Sequence, residues 1–198
     1  MSTEMALELK KLIMDSGVKM QAVSDLLDGL PHDERVAAVR SLCKKQLSAL
    51  WTKADLFGEL TLDFYVPAAT PPMTEVRHFG KNSLPMFTIF EKRFFRLNDT
   101  EIGGANFNDI SWLTGPGYYV AAEDKNRKEL VIDYRKYPDT KPEGWPKIKS
   151  NTSGISTLVY GNMVDITRRV SAHVSIGSAT NGGKDMGAWF MLCRDGSK

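Results

Sequence analysis

The run VSAHVSIGSATNGGKDMGAWFMLCR, residues 170–194, limits the fold more tightly than any other stretch of the chain. Asn181-Gly182-Gly183-Lys184 offers residues that accept positive φ, and an alternating run lies on each side of it, which predicts a β-hairpin. In the first arm Ser171, His173 and Ser175 fall on one side, and Val170, Ala172, Val174 and Ile176 on the other. The polar side faces either water or an enclosed interior. In the second arm Trp189 and Met191 project to one side and Phe190 and Leu192 to the other. A strand that is apolar on both faces needs cover on both, from helices outside or from a filled barrel within.

The first quarter of the chain has a different period. Met5, Leu9, Leu12 and Ile13 form a helical stripe ended by Ser16-Gly17, and Val23, Leu26 and Leu27 form another ended by Gly29. LPHDERVAAVRSLCKKQLSALWTKA, residues 30–54, reads as one helix with proline and acids at its start and Val36, Val39, Cys43, Leu47, Leu50 and Ala54 on one face. Residues 56–74 carry Pro67, Pro71 and Pro72 and read as an extended connector over the surface. EVRHFG reads as a short strand. In NSLPMFTIFEKRFFRLND, residues 82–99, a cap at Asn82 or Ser83 and helical spacing of Met86, Ile89, Phe90, Phe94 and Leu97 predict a helix. Two β-like runs around Glu123–Lys128 predict a second hairpin, and the Pro- and Gly-containing stretch after it predicts a loop with Trp145 as a lid.

Helices first and hairpins after them indicate an α+β chain: a helical segment over 1–55, a Pro-rich connector over 56–74, and over 75–198 a strongly bent antiparallel β-sheet or small β-barrel with one or two short helices. The length of 198 residues and the 42% apolar content suit a chain that buries one large core.

Charge and cysteine usage narrow the function classes. The net charge is +2, and the cations of the helical segment are matched by acids, so no nucleic-acid partner is expected. No run approaches the roughly 20 apolar residues of a membrane span. Cys43 and Cys193 stand apart from any His or Cys at metal-ligand spacing, which predicts no metal, no disulfide framework and a cytoplasmic setting. No phosphate-binding or dinucleotide fingerprint occurs, and no cofactor is expected.

YGNMVDITRRVSAHVSIGSATNGGKDMGAWFMLCR, residues 160–194, resembles the C-terminal part of the calycin-like barrels, the lipocalin-type binders of small ligands, over the last third to half of the chain. The Gly-x-Trp that this family carries on its first strand stands here as Gly187-Ala188-Trp189 on the last one. The resemblance implies a barrel architecture and licenses no function by itself.

The leading functional expectation is non-enzymatic binding of a small apolar or amphipathic molecule in a sheet-lined cavity, with Ser171, His173, Ser175, Arg168, Arg169, Trp189, Met191 and Phe90 as candidate binding residues. Arg168 and Arg169 would clamp an anionic group, or else pair with nearby acids such as Asp165 at helical spacing. A second expectation is acid–base chemistry on a small substrate by His173 with Asp133 or Tyr134, since a carboxylate beside an imidazole fixes its tautomer and raises its basicity. A third is a protein-interaction module in which the helical segment joins a partner or a second copy of the chain.

Overall fold

The computed structural model describes residues 3–107, 116–148 and 161–196. Among these residues five helices come first: α1 (Thr3–Met14), α2 (Met20–Asp28), α3 (His32–Arg40), α4 (Lys44–Lys53) and the single turn α5 (Leu62–Tyr65). Eight strands follow among the described residues: β1 (Val76–Asn82), β2 (Ile89–Arg96), β3 (Ile102–Phe107), β4 (Tyr118–Asp124), β5 (Glu129–Asp133), β6 (Met163–Arg169), β7 (Val174–Asn181) and β8 (Lys184–Arg194). Each strand pairs antiparallel with the next, and β8 pairs back onto β1, so the sheet closes into a barrel. The expected α+β class, helices followed by a closed antiparallel barrel, is the architecture observed.

Alternation along the strands produces two apolar layers. Val174, Ile176, Met191 and Cys193 face outward and share one core with Leu9, Val23, Leu27, Val39, Leu47 and Leu50 of the helices. Phe190 and Leu192 face inward with Phe94, Ile102, Tyr119, Leu130 and Ile132. The two-sided apolar character of β8 therefore has a cause on each face, helices outside and the apolar lining of the barrel inside. Eight strands leave an interior about wide enough for side chains to fill. Glycines set opposite the large rings make the fit possible: a Cβ on Gly177 would lie 2.2 Å from the Phe190 ring, and one on Gly80 would lie 2.7 Å from Phe90.

Both predicted hairpins are present, β4–β5 and β7–β8, the latter turning through Gly182 and Gly183 at φ +56° and +78°. Other elements depart from expectation. The helix predicted over 30–54 divides into α3 and α4 at an extended Cys43, whose N–H donates to Gln46 Oε1 (3.0 Å), and the break re-aims Leu47 and Leu50 onto the outer barrel wall. The helix predicted over 82–99 is strand β2. Asn82 does not cap a helix. Its side chain closes the β1–β2 turn, with Nδ2 donating to Phe87 O (3.1 Å) and Oδ1 accepting from Leu84 N–H (3.0 Å). Among the described residues of 75–198 there is no helix.

The connector is only partly superficial. Leu60, Leu62, Phe64, Tyr65 and Val66 are buried and plug one end of the barrel, where Leu60 N–H donates to Lys128 O (3.1 Å) and Leu62 N–H to Glu123 Oε1 (2.8 Å). The run of apolar residues before Pro67 supplies this plug, and the prolines follow it. Trp145 is not a lid over the interior. It packs outside the barrel on Phe95, Phe107 and Tyr118, and its Nε1–H donates to Glu75 (2.9 Å). The loop beyond Ile148 falls outside the described residues.

The apolar stripes of the helical segment are spent within the molecule. Val36, Val39, Leu47, Leu50 and Ala54, the face expected to be free for a partner or a second copy, are buried in the core shared with β7 and β8. No helix among the described residues is long and apolar enough to cross a membrane.

Candidate functional site

The inward positions of the barrel carry a polar cluster as well as apolar side chains. Lys92 and Asn106 sit opposite one another on β2 and β3. Asp165 on β6 and Tyr134, just beyond β5, approach from the other wall, tied by the bond from Tyr134 N–H to Met163 O (3.2 Å). Lys92 Nζ donates to Asn106 Oδ1 (3.0 Å), to Asp165 Oδ2 (3.1 Å) and to the Tyr134 hydroxyl. Asn106 Nδ2 donates to the Tyr134 oxygen (2.9 Å), and the Tyr134 hydroxyl lies 3.3 Å from Asp165 Oδ2. The rings of Tyr119, Tyr134 and Phe190 surround the ammonium at 4.9, 4.8 and 5.0 Å. Aromatic faces and a carboxylate together hold a cation that bulk water does not reach.

Lys92 and Asp165 are each 2% exposed. Burial pushes the Lys92 ammonium down and the Asp165 carboxyl up from their ordinary ranges, and the attraction between the two offsets part of each shift. Asp165 Oδ1 has no hydrogen-bond partner among the described residues.

A second buried layer lies toward the plugged end. The Tyr65 hydroxyl donates to Ser175 Oγ (3.0 Å), and His78 Nε2–H donates to the Tyr65 carbonyl (3.0 Å). Burial holds the His78 pKa down to about 3, so the ring is neutral, and its Nδ1 is left as an unpartnered acceptor among the described residues. Burial likewise pushes the Tyr65 hydroxyl upward.

Of the residues expected from the sequence, Ser175 and Phe90 face the interior, and Tyr134 belongs to the Lys92 cluster. The others lie elsewhere. Ser171 and His173 occupy the tight β6–β7 turn, closed by the bond from Val170 N–H to Val174 O (2.9 Å), so the first arm leaves the strand before the alternation reaches them. His173 stands beside Arg194 (3.4 Å), and burial lowers its pKa. Asp133 faces outward and pairs with Arg135 (2.8 Å); burial would raise its pKa, but the Arg135 hydrogen bonds and charge outweigh that and leave it lowered.

Asp133 pairs with Val164 and Val164 with Thr180, which lies about 20 Å along β7 from Val174 at roughly 3.3 Å per residue. His173 and Asp133 therefore stand at opposite ends of the barrel, and the structure does not bring them together. Tyr134 is separated from His173 in the same way.

The arginine pair is also redirected, because residues 163–169 form a strand rather than a helix. Arg168 points outward, stacks on Trp51 (3.8 Å), and bonds to Glu129 (2.8 Å), Asp55 (2.9 Å) and the Trp51 carbonyl (3.0 Å). It fastens α4 to the barrel wall. Arg169 Nε–H donates to Ser171 O (3.3 Å). Trp189 and Met191 lie on the outer face under the helices, where they cannot line the interior.

Lys92 and Asn106 are site residues that sequence reasoning passed over, His78 reads from the sequence as part of a surface turn, and Asp165 entered that reasoning only as a helical ion-pair partner. A signal was present: Phe90, Lys92 and Phe94 alternate, as do Met163, Asp165 and Thr167. A charged residue in place of the middle apolar one hides the period of two. Among the described residues no group of three or more His, Cys, Asp or Glu side chains could hold a metal ion. No family model, no curated protein and no solved structure matches the chain.

Proposed function

We propose that this protein binds a small apolar or amphipathic molecule inside its barrel, without catalysis, in a cytoplasmic setting. The observation that carries this reading is the polarity of the barrel's two ends. One end is plugged by Leu60–Val66, whereas Leu84, Met86, Phe87, Ile89 and Met186 are exposed around the β1–β2 and β7–β8 connections at the other. Large apolar side chains gathered in water at the end away from a plug suit the entry of an apolar molecule. The rings of Phe90, Phe190 and Tyr119 offer it a lining below.

The calycin-like resemblance of residues 160–194 supports the same reading by architecture, since an eight-stranded antiparallel barrel is what that resemblance implies. The free thiols of Cys43 and Cys193 suit a reducing compartment.

The acid–base alternative requires His173 near Asp133 or Tyr134, and their separation leaves the imidazole without its orienting partner. Native mass spectrometry of the full chain after incubation with a total lipid extract tests the binding proposal. A discrete adduct is expected, weakened when Phe90 is replaced by Asp. Spectra that hold only the unliganded mass at every extract concentration would overturn it.

A further inference from the structure

The chemistry of the ligand's polar end follows from the proton count inside the barrel. A lysine ammonium has three donors. All three of Lys92's are committed, to Asn106, Asp165 and Tyr134. The Tyr134 hydroxyl and Asp165 Oδ2 are occupied within the same cluster. Two inward-facing polar atoms are buried without a partner among the described residues, Asp165 Oδ1 and His78 Nδ1, and both are acceptors. An unmade hydrogen bond at a buried carboxylate oxygen is costly, so this interior favours whatever brings it a proton.

We infer that the molecule bound in the barrel is an amphiphile with a hydrogen-bond-donating head, a hydroxyl, an amide N–H or an ammonium, received by Asp165 Oδ1, and that carboxylate-headed amphiphiles are excluded. The inference rests on the proposal that the barrel takes a small apolar or amphipathic molecule.

A carboxylate head has no proton for Oδ1 and would set a second negative charge beside the first. Nor can it recruit Lys92, whose three protons are taken and whose ammonium is enclosed by Tyr119, Tyr134 and Phe190. The cation that would be the obvious anchor for an anionic head is neutralised within the protein. The unpartnered Asp165 Oδ1 is what remains.

The test is a binding series on the full chain with decanol, decylamine and decanoate, read by isothermal calorimetry, on the natural protein and on Asp165→Asn. The natural protein is expected to bind the alcohol and the amine at least about tenfold more tightly than the carboxylate, the value of one charge-assisted hydrogen bond. In D165N the amide oxygen turns to the donors of Lys92 and Tyr134, which puts the amide N–H2 where Oδ1 stood, so the order is expected to reverse in favour of decanoate. Equal affinities or a preference for decanoate in the natural protein, or an unchanged order in the variant, would overturn the inference and leave the barrel reading intact. Absence of binding by all three compounds would overturn both. Should D165N fail to fold, the order in the natural protein decides alone.

Discussion

Lys92 and Asp165 show how a buried ion pair is tolerated in a small barrel: neither charge meets water, but the ammonium meets Asn106, Tyr134 and three aromatic rings, and the carboxylate meets Lys92 and the Tyr134 hydroxyl. Removing one member should therefore hurt more than removing both. Lys92→Met is expected to lower the unfolding free energy by about 3–5 kcal/mol, because it strands a buried carboxylate, whereas the double variant Lys92→Met/Asp165→Leu should recover most of that loss. Urea unfolding of the three proteins checks this.

His78 gives a pH prediction with a definite sign. Its folded pKa, about 3, lies below the unfolded value near 6.5, so between these values the unfolded chain holds the extra proton. The contribution of neutral His78 is complete above about pH 6.5 and is lost as the pH falls toward 3, at up to about 1.4 kcal/mol per pH unit. His78→Gln, which keeps an N–H for the Tyr65 carbonyl, should show a shallower loss of stability between pH 6.5 and 4 than the natural protein, measured by urea titration at each pH.

At the scale of elements, strand pairing is adjusted by residue size. Gly177 lies opposite Phe190, and the room beside its Cα is taken by that ring. Gly177→Ala is expected to cost about 1–3 kcal/mol through overpacking. Phe190→Leu in the same chain should relieve the clash, so that the double variant is more stable than the sum of the single effects, by thermal unfolding. The plug depends on hydrogen bonds as well as apolar burial. Tyr65→Phe removes the hydroxyl that bonds to Ser175 and Thr167 and is expected to cost about 1–2 kcal/mol, with the barrel otherwise intact by circular dichroism.

The molecule as a whole is held together by a core that belongs to neither half. Val174, Ile176, Met191 and Cys193 of the barrel's outer face are covered by α1 to α4, and Arg168 fixes the end of α4 against β5 and β6. A chain beginning at residue 56 would expose this apolar wall. It is expected to aggregate or to lose cooperative unfolding, as size-exclusion chromatography and thermal melts would show.

How far the sequence carried the reading can be judged from particular stretches. Helices over 3–14 and 20–28 and the hairpins of 118–133 and 174–194 were legible, because apolar period and turn chemistry are local properties of the chain. Residues 89–96 were misread as helical because Phe90 and Phe94 are four apart and the residue between them on the inner face, Lys92, is charged. That charge is inward only because Asp165 and Tyr134 reach it from β6 and from just beyond β5, some 73 and 42 residues later in the chain. Turn residues and alternation by themselves determined that this chain forms helices and then hairpins, since both depend on neighbours a few residues away. Barrel closure, the plug and the choice of Lys92 and Asp165 over His173 and Asp133 as the interior polar groups were decided only in three dimensions, because each depends on which distant strands pair and on which face that pairing turns inward.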